Sequence, residues 1–408
     1  MTIIELSLSG LAYGGEAFGR DHDGRMIFVP FALPDELVRV EIVEEHKRWA
    51  RTHLLEVLEP SSSRTEPRCL HFHECGGCHY QHIPYDLQLE FKREILRDQF
   101  KRIGGFEDAK IDPIIPSPDP WNYRNRIRFS LTEDGALGFV DHSGSQVLKI
   151  SECHLPDSDI LDTMAAIDLP ATATMSAVEV RTGIEGERML IFHGEEDPNI
   201  ELEVEQPDSI VWLGNTGTTV LAGENYILMK VHDRYFRVSS KAFFQVNASQ
   251  IDGLVDLVIQ RLCPKPDEVI FDLYAGVGLF SAFIAERGAR LIAVEESPSS
   301  CLDFEHNLNE FEDIVLYEAA VEGALRAIHE SPNAVVLDPP RSGLSRDALD
   351  AIVELKPERI IYVSCDPATL ARDGKRLHRA NYNLDSVTPI DLFPQTYHIE
   401  SVSRWCRI

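Results

Sequence analysis

From residue 268 onward the chain alternates short apolar runs with helical patterns, and this alternation restricts the fold more than any other feature. The runs 269–273, 291–295, 314–317, 334–337 and 359–364 are rich in Val, Ile and Leu and are separated by amphipathic segments. Short strands without polar alternation are buried on both faces, so helices must cover both sides of their sheet. The pattern predicts a doubly wound parallel sheet, in which ligands bind beyond the carboxyl ends of the strands.

Those ends carry chemistry. The first run ends in Asp272-Leu273-Tyr274-Ala275-Gly276-Val277-Gly278, where Gly276 and Gly278 let a cofactor lie against the backbone, although two glycines also serve a plain tight turn. Glu295 ends the second run, and a carboxylate there can accept both hydroxyls of a ribose. Asp338-Pro339-Pro340-Arg341 follows the fourth run as a polar group on a stiff loop. Cys365 ends the fifth, and Asp366-Pro367 opens a helix directly after it. A thiol at a helix N-terminus feels a dipole that favours thiolate. The same position also suits a small buried apolar residue, and only its companions decide between the two.

Toward the N-terminus, runs at 3–8, 26–29 and 37–43, punctuated by Gly10, Gly14-Gly15, Gly24 and Pro34, predict a small five-stranded barrel of the oligonucleotide-binding kind. His46-Lys47-Arg48-Trp49-Ala50-Arg51 interleaves cations with an indole, as a nucleic-acid surface or a protected edge strand would. Cys69, Cys75 and Cys78 crowd together, with Cys153 as a possible fourth member. Zinc with mixed ligands, an iron-sulfur cluster and unrelated thiols are all open from the residues, the first because His71, His73, His79 and His82 are close by. A helix is expected over 84–103 with Leu87, Phe91, Ile95, Phe100 and Ile103 inward, and with Arg93, Arg97 and Lys101 either meeting phosphates or pairing with Glu90, Glu94 and Asp98. Residues 121–236 read as strands and turns, with a second basic run at Asn122-Tyr123-Arg124-Asn125-Arg126-Ile127-Arg128 and an acidic scaffold over 157–205.

Composition closes off several classes. The 408 residues carry a formal net charge of -28, which excludes a generally basic nucleic-acid binder and leaves local patches for any polyanion. Eight cysteines are too few for a disulfide scaffold in a chain of this size. No uncharged apolar run is long enough to span a bilayer and the N-terminus lacks the layout of a signal peptide, so the expectation is a cytoplasmic protein with no membrane partner.

Five motifs in order, AFFQVN at 242–247, DLYAGVGLFS at 272–281, VLDPPRSG at 336–343, YVSCDPATLARD at 362–373 and FPQTYHIESV at 393–402, together resemble the RNA 5-methyluridine methyltransferase family. The N-terminal barrel resembles its TRAM domain, and the spacing of Cys69, Cys75, Cys78 and Cys153 resembles its 4Fe-4S site. The resemblance implies an α/β class I methyltransferase (Rossmann-like) domain over 237–408, an OB-like RNA-binding barrel over 1–60, and a β-rich iron-sulfur and central domain over 61–236, whose helix 84–103 packs on the catalytic domain. It implies that Gln245, Tyr274, Glu295 and Asp338, with Gly276 of the glycine turn, bind S-adenosylmethionine, that Cys365 is the nucleophile and that Glu400 is the base. Glu400 would share a strand face with His398, which could orient it. The expected reaction is methyl transfer to C5 of a uridine in structured RNA, ribosomal ahead of transfer RNA, by a monomer that forms a covalent Cys-C6 adduct.

The chain departs from the family pattern at Leu279 and Ala320, where some members carry asparagine, and at Asp35, where a glycine is usual. Two other readings compete with this one. An exocyclic-amine methyltransferase would use Asp-Pro-Pro but has no use for Cys365 or Glu400, and a non-catalytic RNA-binding iron-sulfur protein would need neither.

Overall fold

The computed structural model describes residues 2–167, 175–195 and 209–408. Of the acidic stretch 157–205, residues 168–174 and 196–205 lie outside them. Among the described residues no helix is long and apolar enough to cross a membrane.

Strands β1 (Ile3–Leu11), β2 (Ala17–Arg20), β3 (Met26–Val29), β4 (Leu37–Glu45) and β5 (Trp49–Glu59) close into a barrel in the order β1-β2-β3-β5-β4. Leu6 and Leu8, Ile27 and Val29, and Val38 and Val40 alternate into its core, as half-buried strands require. Asp35 takes a left-handed backbone with φ of 65°, so the position that usually holds glycine does demand it. Beside it Glu36 is fully buried, where it accepts from Leu33 N, Ser61 N and the Arg64 guanidinium.

Helix α1 (Tyr85–Gln99) runs on into a wider turn over Phe100–Gly104 and lies against the C-terminal part of the chain. Its inner face differs from the expected one. Ile95, Leu96 and Phe100 are buried, but so are Gln88, Lys92 and Gln99, whereas Leu87 and Phe91 are only half-buried. Lys92 survives there because its ammonium donates to Asp391 at 2.7 Å and to Phe393 O at 2.9 Å. The cationic stripe is used locally: Arg93 donates to Ile111 O, Lys101 pairs with Glu107, and Asp98 pairs with Arg102.

The middle of the chain forms one seven-stranded sheet from β6 (Arg126–Leu131), β7 (Leu137–Val140), β8 (Val147–Lys149), β9 (Met175–Thr182), β10 (Arg188–Gly194), β11 (Ser209–Gly214) and β12 (Gly217–Ala222), in the order β12-β11-β10-β9-β6-β7-β8. Helix α2 (Ser158–Ala166), capped by Asp157, packs on it through Ile160. A hairpin of β13 (Tyr226–Val231) and β14 (Arg234–Ser239) leads out of this region.

The remaining strands are β15 (Val269–Leu273), β16 (Arg290–Glu295), β17 (Ile314–Glu318), β18 (Ala334–Leu337), β19 (Arg359–Ser364), β20 (Tyr382–Ile390) and β21 (Glu400–Arg407), in the order β17-β16-β15-β18-β19-β21-β20. Helices α3 (Ala248–Leu262), α4 (Leu279–Ala285) and α5 (Pro298–Asn307) build the core on one face. Helices α6 (Val321–Ala327), α7 (Arg346–Leu355) and α8 (Pro367–Arg379), with the end of α1, build the other. This is the expected doubly wound sheet with one departure. Strand β21 runs antiparallel between β19 and β20, so its first residue lies at the carboxyl end of β19.

Candidate active site

The ends of β18 and β19 and the start of β21 meet. In the β19–β21 ladder Val363 faces Val402 and Ser364 faces Ser401, so one further step sets Cys365 against Glu400. Cys365 sits where the strand stops because Asp366 caps α8, its Oδ1 accepting from Thr369 N at 2.8 Å, and Pro367 occupies the first turn. Asp338 leaves β18 beside them, and Pro339-Pro340 stiffen the turn that carries Arg341.

The electrostatics run against the helix-dipole expectation for Cys365. Burial, then the neighbouring Glu400 and Asp338, push its thiol up to about 12, and Arg341 opposes the rise. Glu400 is 4% exposed, and burial followed by Asp338 raises its carboxyl well above the usual range, with Arg341 again opposing. Asp338 is raised to about 7 by burial and by Asp272. Asp272 is raised to about 7 chiefly by burial; its Oδ2 accepts from Ser281 at 2.6 Å, while its Oδ1 is buried without a partner. Burial and mutual repulsion thus disfavour the anions of this cleft, and Arg341 opposes the rise at both Cys365 and Glu400.

A cavity of about 540 Å³ opens beside the β15 turn, lined by Tyr274, Glu295, Glu296, Glu322, Ser342 and Ser345 among others. Tyr274 presents its ring from a left-handed backbone with φ of 65°. Gly278, at φ of 91°, could not carry a Cβ, which would come within 2.3 Å of Leu308. Glu295 accepts from Gly276 N and from Ser297 N, each at 2.8 Å, which fixes its carboxylate at the rim. A nucleoside-sized cavity with this carboxylate at its rim fits a ligand with ribose hydroxyls.

Comparison with known proteins gives the site its chemistry. Residues 328–404, which hold Asp338, Arg341, Cys365 and Glu400, match the tRNA (uracil-5-)-methyltransferase family, and residues 2–55 match the TRAM domain. Proteins described as uncharacterized RNA methyltransferases are similar over 98% of this chain. That of Aquifex aeolicus is 34% identical, with 97% of its own length covered, and that of Chlorobaculum tepidum is 31% identical, with 95% covered. The chain belongs to the tRNA/RNA uracil-5-methyltransferase family. The crystal structure of the Pyrococcus abyssi tRNA (uracil-54, C5)-methyltransferase in complex with S-adenosyl-L-homocysteine superposes with a TM-score of 0.78 at 26% identity, covering 98% of this chain and all of that one. The molecule is an S-adenosylmethionine-dependent RNA (uracil-5) methyltransferase.

Against that family's pattern, Leu279 is buried in the core and Ala320 precedes α6 without a side-chain cap, so neither supplies a polar group to the cavity. The cavity's own Glu322, hydrogen-bonded by Ser345, had no sequence signal. Gln245 is buried, with its backbone carbonyl accepting from Asn125 at 3.1 Å, and of the expected cofactor residues only Tyr274 and Glu295 line this cavity, while Gln245, Gly276 and Asp338 do not. His398 departs from its expected role. It precedes β21, no hydrogen bond of the described residues joins it to Glu400, and its Nε2 lies 3.4 Å from Arg341 Nη2. Burial, with Arg341 adding to it, depresses its imidazole to about 3, so at neutral pH it is uncharged. Arg341 itself was legible only as a residue after Asp-Pro-Pro.

Cys69, Cys75 and Cys78, together with Cys153 from far along the chain, all line one cavity of about 400 Å³. Arg124, Arg126 and Arg128 of the second basic run line it too, and Arg124 Nε is buried there without a partner. Burial leads the rise of all four thiols, with Cys78 reaching about 12 and Cys153 about 11. Among the described residues no three Cys, His, Asp or Glu side chains close on a point where a single ion would sit. Four sulfurs around one zinc ion crowd together at bonds of about 2.3 Å, whereas a four-iron cluster holds its thiolates apart around its own body. Sulfurs facing a shared cavity, with arginines to offset negative charge, fit the cluster better than the ion.

Proposed function

We propose that the enzyme methylates C5 of a uridine in structured RNA through a covalent adduct, with Cys365 as nucleophile and Glu400 as base. The observation that carries this reading is the antiparallel register that sets Cys365 against Glu400 with Asp338 beside them. Uracil C5 is too weak a nucleophile to attack a sulfonium methyl group unaided. Addition of the Cys365 thiolate to C6 makes C5 enolate-like. S-adenosylmethionine supplies the methyl group when bound, and Gln245, Tyr274, Gly276, Glu295 and Asp338 are the residues we assign to holding it. Glu400 then takes the proton from C5, the C5–C6 double bond re-forms, and the thiolate is expelled. Burial raises both Cys365 and Glu400 and so makes each harder to ionise, and Arg341 lies where it favours their anions. The four cysteines would hold a 4Fe-4S cluster in a structural or RNA-positioning role.

The work divides among residues 1–60, 61–236 and 237–408, and the target base must be unstacked to reach Cys365. We expect it to act as a monomer in the cytoplasm. Ribosomal RNA is the substrate expected from the sequence, while the likeness to the Pyrococcus tRNA enzyme favours transfer RNA. Nucleoside mass spectrometry with site mapping, on RNA from cells lacking the protein, decides between them. The mechanism is tested by Glu400→Gln, which should accumulate a methylated protein–RNA adduct that survives denaturing electrophoresis and is absent from the Cys365→Ala, Glu400→Gln double variant. Wild-type activity in Cys365→Ala would refute the nucleophile.

A further inference from the structure

The barrel reaches into the catalytic cleft. Between β1 and β2 the chain turns tightly, Ala12 N donating to Glu16 O at 2.8 Å, and Tyr13 stands at the tip. Its hydroxyl donates to Asp366 Oδ2 at 2.8 Å, a bond across 353 positions of sequence to the residue after Cys365. The tip is wedged in place. The Tyr13 ring meets Tyr397 edge-on at 5.8 Å, and a Cβ on Gly15 would touch His79 at 3.2 Å and Tyr397 at 3.3 Å. Asp366 thus spends one oxygen on the helix that follows the nucleophile and the other on the barrel.

We propose that Tyr13 is a positioning residue for thiolate addition, holding Asp366 between the tyrosine and α8 so that its charge bears less strongly on the thiolate than a free carboxylate would. The proposal rests on Cys365 being the nucleophile. It extends the barrel's part from holding RNA to setting the reactivity of the cleft. The groups that face Cys365 are Glu400 from β21, Asp338 and Arg341 from the loop after β18, and Asp366 at the start of α8, with Tyr13 approaching from the barrel. Of these, Asp366 is the carboxylate whose orientation a residue outside the doubly wound sheet controls. Without the Tyr13 hydroxyl, its free oxygen adds to the negative potential around the thiolate, so less thiolate forms at a given pH.

The test uses the full-length enzyme and total RNA from cells lacking it. Tyr13→Phe should slow single-turnover methylation about tenfold, the scale of one hydrogen bond to a charged group, and move the rate profile to higher pH, with RNA affinity within about twofold of wild type. In an Asp366→Asn background, where the cap is kept and the charge removed, adding Tyr13→Phe should change the rate by less than about twofold. A tyrosine that merely supported the fold would lower RNA affinity or thermal stability in both backgrounds and leave the pH profile in place. An unchanged rate and profile in Tyr13→Phe, or the same loss in both backgrounds, would overturn the proposal while leaving the nucleophile untouched. Activity in Cys365→Ala would instead remove the nucleophile, and this proposal with it.

Discussion

The cysteine cavity and the catalytic cleft confront one physical problem with opposite means. Each buries acidic groups that ought to act as anions, and in each burial heads the causes that push thiols or carboxyls upward. The cysteine cavity gathers four thiols of one kind and three arginines around space, an arrangement suited to a permanent occupant whose metal charge would keep the sulfurs deprotonated. The cleft mixes one thiol with Asp338 and Glu400 and opposes them with Arg341. That suits the proton transfers proposed for Cys365 and Glu400. A high thiol pKa therefore does not by itself separate a ligand from a nucleophile; the neighbours do.

The widest separation of the two regions should come from Cys365→Ala set beside Cys78→Ser. The first should cut methyl transfer by about ten-thousandfold or more and leave the iron content of anaerobically purified protein unchanged. The second should lose most iron and the brown colour, while the rate falls by up to about a hundredfold through misplacement of the loop that hydrogen-bonds Gln395. Stoichiometric zinc in place of iron in the wild type would break the contrast.

Next in size is Arg341→Met. Because the guanidinium opposes the rise of the thiol, its loss should lift the thiol's apparent pKa by about one unit and lower the neutral-pH rate about tenfold, with recovery at higher pH. A uniform loss at every pH would mean that Arg341 holds RNA instead.

The smallest signal is alkylation of the resting enzyme. With cluster in place, Cys365 should react slowly with iodoacetamide at neutral pH and about tenfold faster for each unit of pH, while Cys69, Cys75, Cys78 and Cys153 stay protected until iron is removed. Fast labelling of Cys365 at neutral pH would refute the raised thiol.

Much of the doubly wound sheet was legible because buried parallel strands are local apolar runs, and the strand-end residues Tyr274, Gly276, Glu295, Asp338 and Cys365 are read directly from where those runs stop. The antiparallel β21 was not, since strand direction leaves no trace in period or composition. The inward face of α1 was misjudged for a related reason. Apolarity places Leu87 and Phe91 inside, yet Lys92 is buried because a carboxylate 299 positions away neutralises it.

Local sequence thus determined where the strands begin and end, which backbone turns could approach a cofactor, and that five ordered motifs belong to one enzyme family. Tertiary structure alone decided that Glu400 faces Cys365, that His398 turns to Arg341, that arginines 124, 126 and 128 surround the thiols, and that Tyr13 reaches Asp366. The reason is range. Propensity and periodicity act over a few residues, whereas the pairing and desolvation of charges depend on neighbours brought together from hundreds of positions apart.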